Sequence, residues 1–346
     1  MTTIETFTRR EILSQPRAWA AALEALQGQS AGLQSFNPDR YAQVLFTGCG
    51  STYYLALSAA ALAQALTGRP GRAFPASELW LSPQTCYTAG RTLLVAVSRS
   101  GVTTETLRAC QAFIADGRGD LITLSCYPGT SLAGMGALNL VLSSGQEQSV
   151  AQTRAFSSLF LGTVALACQW ARRGDLFDSL GRLPEAGGRI LEEYAPLAAE
   201  LGADARLDRF YFLGSGARYG LACELSLKMK EMSLSHSEPF HFLEFRHGPK
   251  SMVTPGTLVV GLRSSANAGP ESAVLKDVTA LGGRILAMGE EPADGGRAVA
   301  FRSGLDEAVR DVLYLPAGQL IALERSLSKG LNPDRPTNLD AVVTLP

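Results

Sequence analysis

The chain has 346 residues, enough for two domains that each bury a core, and its 46% hydrophobic and 18% charged residues describe a globular protein. With 31 basic against 32 acidic residues, no overall field draws it to nucleic acid or an anionic membrane, so an anionic ligand must be held locally. The six cysteines (Cys49, Cys86, Cys110, Cys126, Cys168, Cys223) form no Cys-x-x-Cys pair, which suits a reducing, cytoplasmic setting and argues against structural zinc.

The opening MTTIETFTRREILSQPRAW lacks a basic end followed by an apolar run, so no secretory signal is expected. Residues 9–27, interrupted by Pro16, read as a helix within an N-terminal arm of residues 1–34. Beyond the arm the chain repeats itself. Residues 44-VLFTGCGSTYYLA-56 and 210-FYFLGSGARYGLA-222 both run from a short apolar segment through Gly-x-Gly into a helical pattern. Gly48, Gly50, Tyr53, Leu55 and Ala56 match Gly214, Gly216, Tyr219, Leu221 and Ala222 at an offset of 166. A second strand follows in each half, 92-TLLVAVSRSG-101 and 257-TLVVGLRSSA-266, then a third at 121–126 and at 284–288, with helical segments such as 103–113 between them. The charge-free run 155–171 contains Ser157, Ser158, Gly162, Thr163 and Gln169, which marks a buried helix rather than a membrane span. The stretch 173-RGDLFDSLGRLPEAGG-188 reads as a boundary, followed by a linking helix at about 189–201. Short continuous apolar strands separated by helices predict an α/β fold: two tandem, doubly wound parallel sheets, with domains at 35–180 and 190–346, the second including a C-terminal tail.

In such sheets ligands bind beyond the carboxyl ends of the strands. The loop 97-VSRSGVTTET-106 stands there, offering the hydroxyls of Ser98, Ser100 and Thr103, the small Gly101, and the positive end of the next helix. Together these favour a phosphate dianion, although Ser and Thr also make ordinary helix caps. Ser51 and Thr52, after the first strand, add hydroxyls at the neighbouring turn. A dinucleotide is disfavoured, because Gly214-x-Gly216-x-x-x-Gly220 departs from the fingerprint spacing and Arg263-Ser264-Ser265 brings no acidic residue for a ribose.

Glu224, Lys228 and Glu231 recur at i, i+4 and i+7, on one helix face, either as a solvated salt-bridged stripe or as chemistry. The matching helix of the first half, 53-YYLALSAAALAQAL-66, carries no charge there. All three histidines, His236, His241 and His247, lie within twelve residues among Glu231, Glu238 and Glu244. No His-Glu-x-x-His register supports a metal, so no metal is expected, and a carboxylate near an imidazole suits proton transfer near neutral pH.

These stretches resemble the sugar isomerase (SIS) domain family, most closely the isomerase half of glucosamine-6-phosphate synthases. The resemblance runs from about residue 40 to the end and is carried by 47-TGCGSTYYLA-56, 98-SRSGVTTETL-107, 149-SVAQTRAF-156 and 224-ELSLKMKEMSLSHSEPFHFLEFRHGP-249. It implies two flavodoxin-like domains binding a sugar 6-phosphate through 98–103, with Ser51, Thr52 and Arg99 assisting. It also implies Glu231 as the carboxylate moving a proton between carbons 1 and 2, and His247 as the ring-opening histidine, contributed across a homodimer interface. Lys228 matches a lysine near the sugar hydroxyls, and Val150 and Gln152 a segment lining the sugar.

The chain departs from the synthases in three ways. No catalytic Cys or glutaminase domain precedes the first sheet, Ala341 stands where their terminal tail has a lysine, and Arg99 and Val102 replace a Gln and a Glu. Shorter relatives without a glutaminase act as amino-sugar-phosphate deaminases, as ketose/aldose isomerases of the galactosamine and tagatose type, or as fructosamine-6-phosphate deglycases. The expectation is therefore a cofactor-free aldose–ketose enzyme acting on an amino-sugar 6-phosphate, most like glucosamine-6-phosphate deaminase. Its rival is a sugar-phosphate sensor that binds without turnover, which the missing terminal lysine favours and the retained Lys228, Glu231 and His247 oppose. A DNA-reading regulator is disfavoured, since about 40 residues precede the first sheet and no basic patch is present. His236, with Glu238, is expected at the same pocket or the dimer contact, and His241 to pack beside the strand.

Overall fold

The computed structural model describes residues 5–292 and 296–345; the first four residues of the expected arm and the last residue of the second domain lie outside them. Among the described residues ten strands form two parallel sheets: β1 (Gln43–Gly48), β2 (Gly71–Pro75), β3 (Thr92–Val97), β4 (Gly119–Ser125), β5 (Leu138–Val141), β6 (Arg209–Leu213), β7 (His236–Phe240), β8 (Thr257–Leu262), β9 (Arg284–Gly289) and β10 (Arg297–Ala300). The first sheet has the order β2-β1-β3-β4-β5 and the second β7-β6-β8-β9-β10, the same winding carried out twice. The fold is thus α/β with tandem doubly wound sheets, and the starts of β1 and β6 keep the 166-residue offset of the sequence repeat. Every residue of β1, β3 and β8 is buried, which is why these segments read as continuous apolar runs rather than alternating ones.

The chain forms two compact units that are not contiguous in sequence. One comprises residues 17–147, 154–181 and 340–346 around the first sheet; the other comprises 1–16, 148–153 and 182–339 around the second. The consecutive segments 1–34, 35–180 and 190–346 expected from the sequence therefore do not coincide with these units. The arm divides at Pro16, in the first turn of the helix Gln15–Gly28. The region expected as a boundary is helical, with Gly174–Ser179 followed by the long helix Leu183–Ala203, which begins earlier than the linking helix read from sequence.

In the first unit, helix Arg154–Trp170 is buried at every position from Ala155 to Cys168, as the charge-free run required. Among the described residues no helix is long and apolar enough to cross a membrane. In the second unit, segments far apart in sequence are stitched together by carboxylates. Asp334 accepts from the Thr8 N–H and hydroxyl, both at 2.7 Å, and its carbonyl accepts from Val150 N–H at 3.1 Å. Buried Glu11 accepts from Gln148 N–H at 2.6 Å, from Ser149 N–H at 3.3 Å and from the Ser149 hydroxyl. The N-terminal arm is therefore what fixes the 148–153 segment, a role that sequence spacing did not reveal.

Candidate functional site

The candidate residues form two groups, one in each unit. In the first unit, β1 and β3 are neighbours, and their connections leave toward β2 on one side and β4 on the other, so the crevice at their carboxyl ends is the topological switch point of the sheet. After β1, Gly50 at φ +55 turns the chain into helix Ser51–Thr67. A Cβ on Gly48 would stand 2.5 Å from Thr52 Oγ1, so only glycine lets this helix start so close to its strand. The Thr52 hydroxyl closes the turn itself, accepting from Cys49 N–H at 2.9 Å and donating to the Cys49 carbonyl at 3.0 Å. Ser51 and Thr52 are both buried. Desolvation raises the Cys49 thiol above its ordinary value, which keeps it protonated and poorly nucleophilic.

After β3, the hydroxyls of Ser98, Ser100 and Thr103 converge, with Thr103 Oγ1 3.1 Å from Ser98 Oγ and 3.5 Å from Ser100 Oγ. Ser98 Oγ accepts from Gly101 N–H at 3.2 Å, and Gly101 adopts φ +69 against Thr130. Thr103 is the N-cap of helix Thr104–Ala115, yet its side chain makes no capping hydrogen bond. The plain capped turn is thus not what forms; the hydroxyl belongs to the three-hydroxyl cluster at a helix N-terminus, a setting suited to an oxyanion. Arg99, grouped with the phosphate contacts by sequence, is buried and bound elsewhere. Its guanidinium donates to the Ala341 carbonyl at 2.9 Å and lies 3.4 Å from Glu147, whose side chain is fully buried. Arg99 therefore ties the C-terminal tail to the loop at the residue where the resemblance expects a lysine.

In the second unit, helix Arg218–Ser233 carries Glu224, Lys228 and Glu231. They are not a solvated stripe. Glu224 and Lys228 are 0% exposed, and Lys228 Nζ lies 3.4 Å from Glu224 and in direct contact with Glu231, whose side chain is 18% exposed. One carboxylate thus reaches a surface while its cation and second carboxylate stay inside. The helix ends at Leu234 in the left-handed conformation, where Lys329 Nζ donates to the Ser233 carbonyl at 2.6 Å. Because the helix runs back from the carboxyl end of β6, Glu231 sits about 20 Å along it, far from the switch point of its own sheet. Val150 belongs to the segment clasped by Glu11 and Asp334, and the nearby Gln152 keeps a buried side-chain oxygen without a hydrogen-bond partner.

The histidines separate. His247 closes a short 3-10 turn, with its N–H donating to the Glu244 carbonyl at 2.9 Å; its side chain is exposed, and Gly248 at φ +120 follows. No described contact joins His247 to Lys228 or Glu231. His236 starts β7, opposite the start of β6, and lies 3.8 Å from Glu238 at the amino ends of the strands rather than at the carboxyl-end crevice. His241 instead lies flat on Tyr219 at the carboxyl end, with ring centroids 3.9 Å apart, and desolvation lowers its imidazole below the ordinary value against the opposing charge of Glu244. Among the described residues, no three His, Cys, Asp or Glu side chains converge as a metal-ligand set. Two cavities, about 460 Å³ beside Trp170 and about 420 Å³ beside Arg284, are lined by none of the candidate residues.

Comparison with known proteins bears on the fold and the family. The sequence is 30% identical over 314 residues to a glutamine–fructose-6-phosphate aminotransferase of Methanothermobacter thermautotrophicus, covering 88% of this chain and 52% of that protein. It is 32% identical to the corresponding Pseudomonas putida protein, covering 98% and 59%. The chain thus spans little more than half the length of these relatives. Among solved structures, a tagatose-6-phosphate ketose/aldose isomerase of Escherichia coli superposes with a TM-score of 0.86 at 22% identity, covering 95% of both chains. A glucosamine-6-phosphate deaminase of Thermotoga maritima superposes with a TM-score of 0.79 at 27% identity, covering 98% of this chain and all of the other. The SIS domain pattern matches residues 40–168 and 204–294, one stretch for each sheet, and the chain belongs to the SIS domain family.

Proposed function

We propose that the protein is a sugar-phosphate isomerase of the aldose–ketose type that acts on an amino-sugar 6-phosphate, with glucosamine 6-phosphate deamination as its reaction. The observation that carries this reading is the pairing of a surface-reaching carboxylate, Glu231, with the wholly buried Lys228 on a helix whose counterpart in the first repeat has no charge. A protein that only senses a sugar phosphate has use for the hydroxyl loop but none for such a group. The Thermotoga deaminase, similar over the full length of both chains, supports the same choice.

In this mechanism the Ser98–Ser100–Thr103 hydroxyls hold the phosphate, Ser51 and Thr52 assist, and Val150 and Gln152 line the sugar. His247, supplied by a second copy in a homodimer, moves the proton that opens the ring. Glu231 then removes the carbon 2 proton of the open-chain aldehyde, whose carbonyl acidifies that bond, and returns a proton to carbon 1. The resulting carbon 2 imine adds water and releases ammonia, leaving fructose 6-phosphate. The chemistry requires neither metal nor organic cofactor, and the six free cysteines support a reducing, cytoplasmic setting.

Incubation with glucosamine 6-phosphate tests the reading by release of ammonia and fructose 6-phosphate. Glu231→Gln keeps the shape, deletes the base, and should lower kcat by ~10²–10⁴ in a protein that still folds. Tight binding of the sugar phosphate without turnover would instead establish the sensor. Turnover of fructosamine 6-phosphate, or ketose–aldose interconversion without ammonia release, would redirect the assignment to a deglycase or a tagatose-type isomerase.

A further inference from the structure

The second sheet repeats the anion-binding crevice of the first. Its switch point lies between β6 and β8, and the loop after β8 leads into helix Ala268–Ala280, thirteen residues long. The two loops share a local signature: Ser98 Oγ accepts from Gly101 N–H at 3.2 Å, and Ser264 Oγ, 166 residues later, accepts from Asn267 N–H at the same distance. In the first loop the side-chain neighbour of the Ser98 hydroxyl is a neutral group, the Thr103 hydroxyl at 3.1 Å. In the second, an anion is present.

That anion is Glu307. Its Oε1 accepts from the Ser264 hydroxyl at 2.6 Å and from Arg218 at 2.5 Å. Its Oε2 accepts from Ser265 N–H at 2.8 Å, from Ala266 N–H at 3.4 Å and from Arg310 at 3.3 Å. Arg218 and Arg310 are buried, and the Nε of each has no hydrogen-bond partner, so both retain unused donor capacity. Burial works to raise the Glu307 carboxyl, but the Ser264 hydroxyl, the charge of Arg218 and the Ser265 N–H outweigh it and hold the group below its ordinary value. A hydroxyl, two backbone N–H groups at a helix start and two guanidiniums around one carboxylate form a complete oxyanion site.

We propose that the carboxyl-end crevice of the second repeat is a latent tetrahedral-oxyanion site, kept closed by Glu307 as an internal ligand, so that the native chain takes one phosphate or sulfate rather than two. The first of those two sites rests on the function proposed above; the second stands on its own contacts. A cavity of about 120 Å³ lined by Arg263, Ser264, Ser265, Ala268, Gly289 and the acidic pair Glu290 and Glu291 adjoins the carboxylate through the two serines, and it adds room for an oxyanion once the Glu307 side chain is removed. Opposing charges also face the space: Asp311 lies 3.6 Å from Arg218, Glu290 lies 3.8 Å from Arg310, and Glu271 accepts from Ser264 N–H at 2.6 Å. They favour testing near pH 6, because burial pushes the Glu271 and Asp311 carboxyls up to about 7 and about 6.

The test is equilibrium dialysis with radiolabelled sulfate at pH 6 on the full chain, comparing wild type, Glu307→Ala and Glu307→Gln. The expected result is one additional sulfate per chain in Glu307→Ala alone, since the glutamine still fills the crevice, with an apparent affinity at the new site at least roughly tenfold above any there in wild type. Equal stoichiometry in all three proteins overturns the proposal. If Glu307→Ala unfolds in chloride, a stabilisation by sulfate at equal ionic strength that exceeds the general one sulfate gives Glu307→Gln supports the site, and a gain no larger than that overturns it. A wild type that binds no sulfate beside a variant that binds one would refute the first-loop reading and leave this inference intact.

Discussion

Replacing Lys228 by Met keeps the side chain's length and removes its charge from a place with no water to compensate. Lys228 and Glu224 are 0% exposed, with Nζ 3.4 Å from the Glu224 carboxylate. At an effective dielectric constant of 20 that contact alone corresponds to an attraction of ~5 kcal/mol, of which desolvation has already consumed part. The loss has a ceiling, because the variant can protonate the stranded carboxyl. Taking an ordinary glutamate from ionised to neutral at pH 7 costs ~4 kcal/mol, so we expect Lys228→Met to lose roughly 3–4 kcal/mol there. The folded variant then holds a proton that its unfolded chain has released. Its stability therefore falls as pH rises above the ordinary carboxylate value, and the deficit shrinks by ~1.4 kcal/mol per pH unit on acidification, to ~1 kcal/mol at pH 5. Urea unfolding of both proteins at pH 5, 6 and 7 measures this directly. The double variant Lys228→Met/Glu224→Gln should recover most of the loss, since it removes the carboxylate that the cation neutralised. A deficit under ~1 kcal/mol that does not vary with pH would show that Lys228 is solvated and that the Glu224–Lys228 pair is not desolvated.

Two further outcomes follow from single groups. Burial pushes the Glu271 carboxyl up to about 7, so the folded state keeps a proton that the unfolded state loses, and stability declines as pH rises from about 4.5 through about 7. Glu271→Gln should remove up to roughly 3 kcal/mol of that decline, and parallel urea midpoints for the two proteins between pH 5 and 8 would refute the assignment. Gly101→Ala places a Cβ 2.1 Å from Thr130 Oγ1 at φ +69, which should cost about 1–2 kcal/mol by thermal melting and reduce the stabilisation that fructose 6-phosphate confers. An unchanged ligand response would separate the 98–103 loop from phosphate binding.

Much of the molecule is written in short-range pattern. The offset of 166 announced the duplication, and both copies fold with the same strand order because the same apolar runs and Gly-x-Gly turns recur. Spacing also placed Glu224, Lys228 and Glu231 on one helix face and the Ser98, Ser100 and Thr103 hydroxyls in one loop, since 3.6-residue periodicity and a single turn act within a few residues. Local pattern could not settle whether that helix face met water; the uncharged matching helix of the first half spoke against a solvated stripe without excluding it. Nor could it pair Glu11 with Ser149, 138 residues away, or Arg99 with Ala341, 242 away, or identify Glu307 as the anion in the Ser264 loop. Each of those partners is chosen by which segments the folded chain brings together, and a carboxylate's role as base, clasp or internal ligand depends on the donors and burial it meets there. The sequence determined the elements and the faces they present; the tertiary structure decided which charges lost their water, because desolvation is a property of the assembled packing and not of any one stretch of chain.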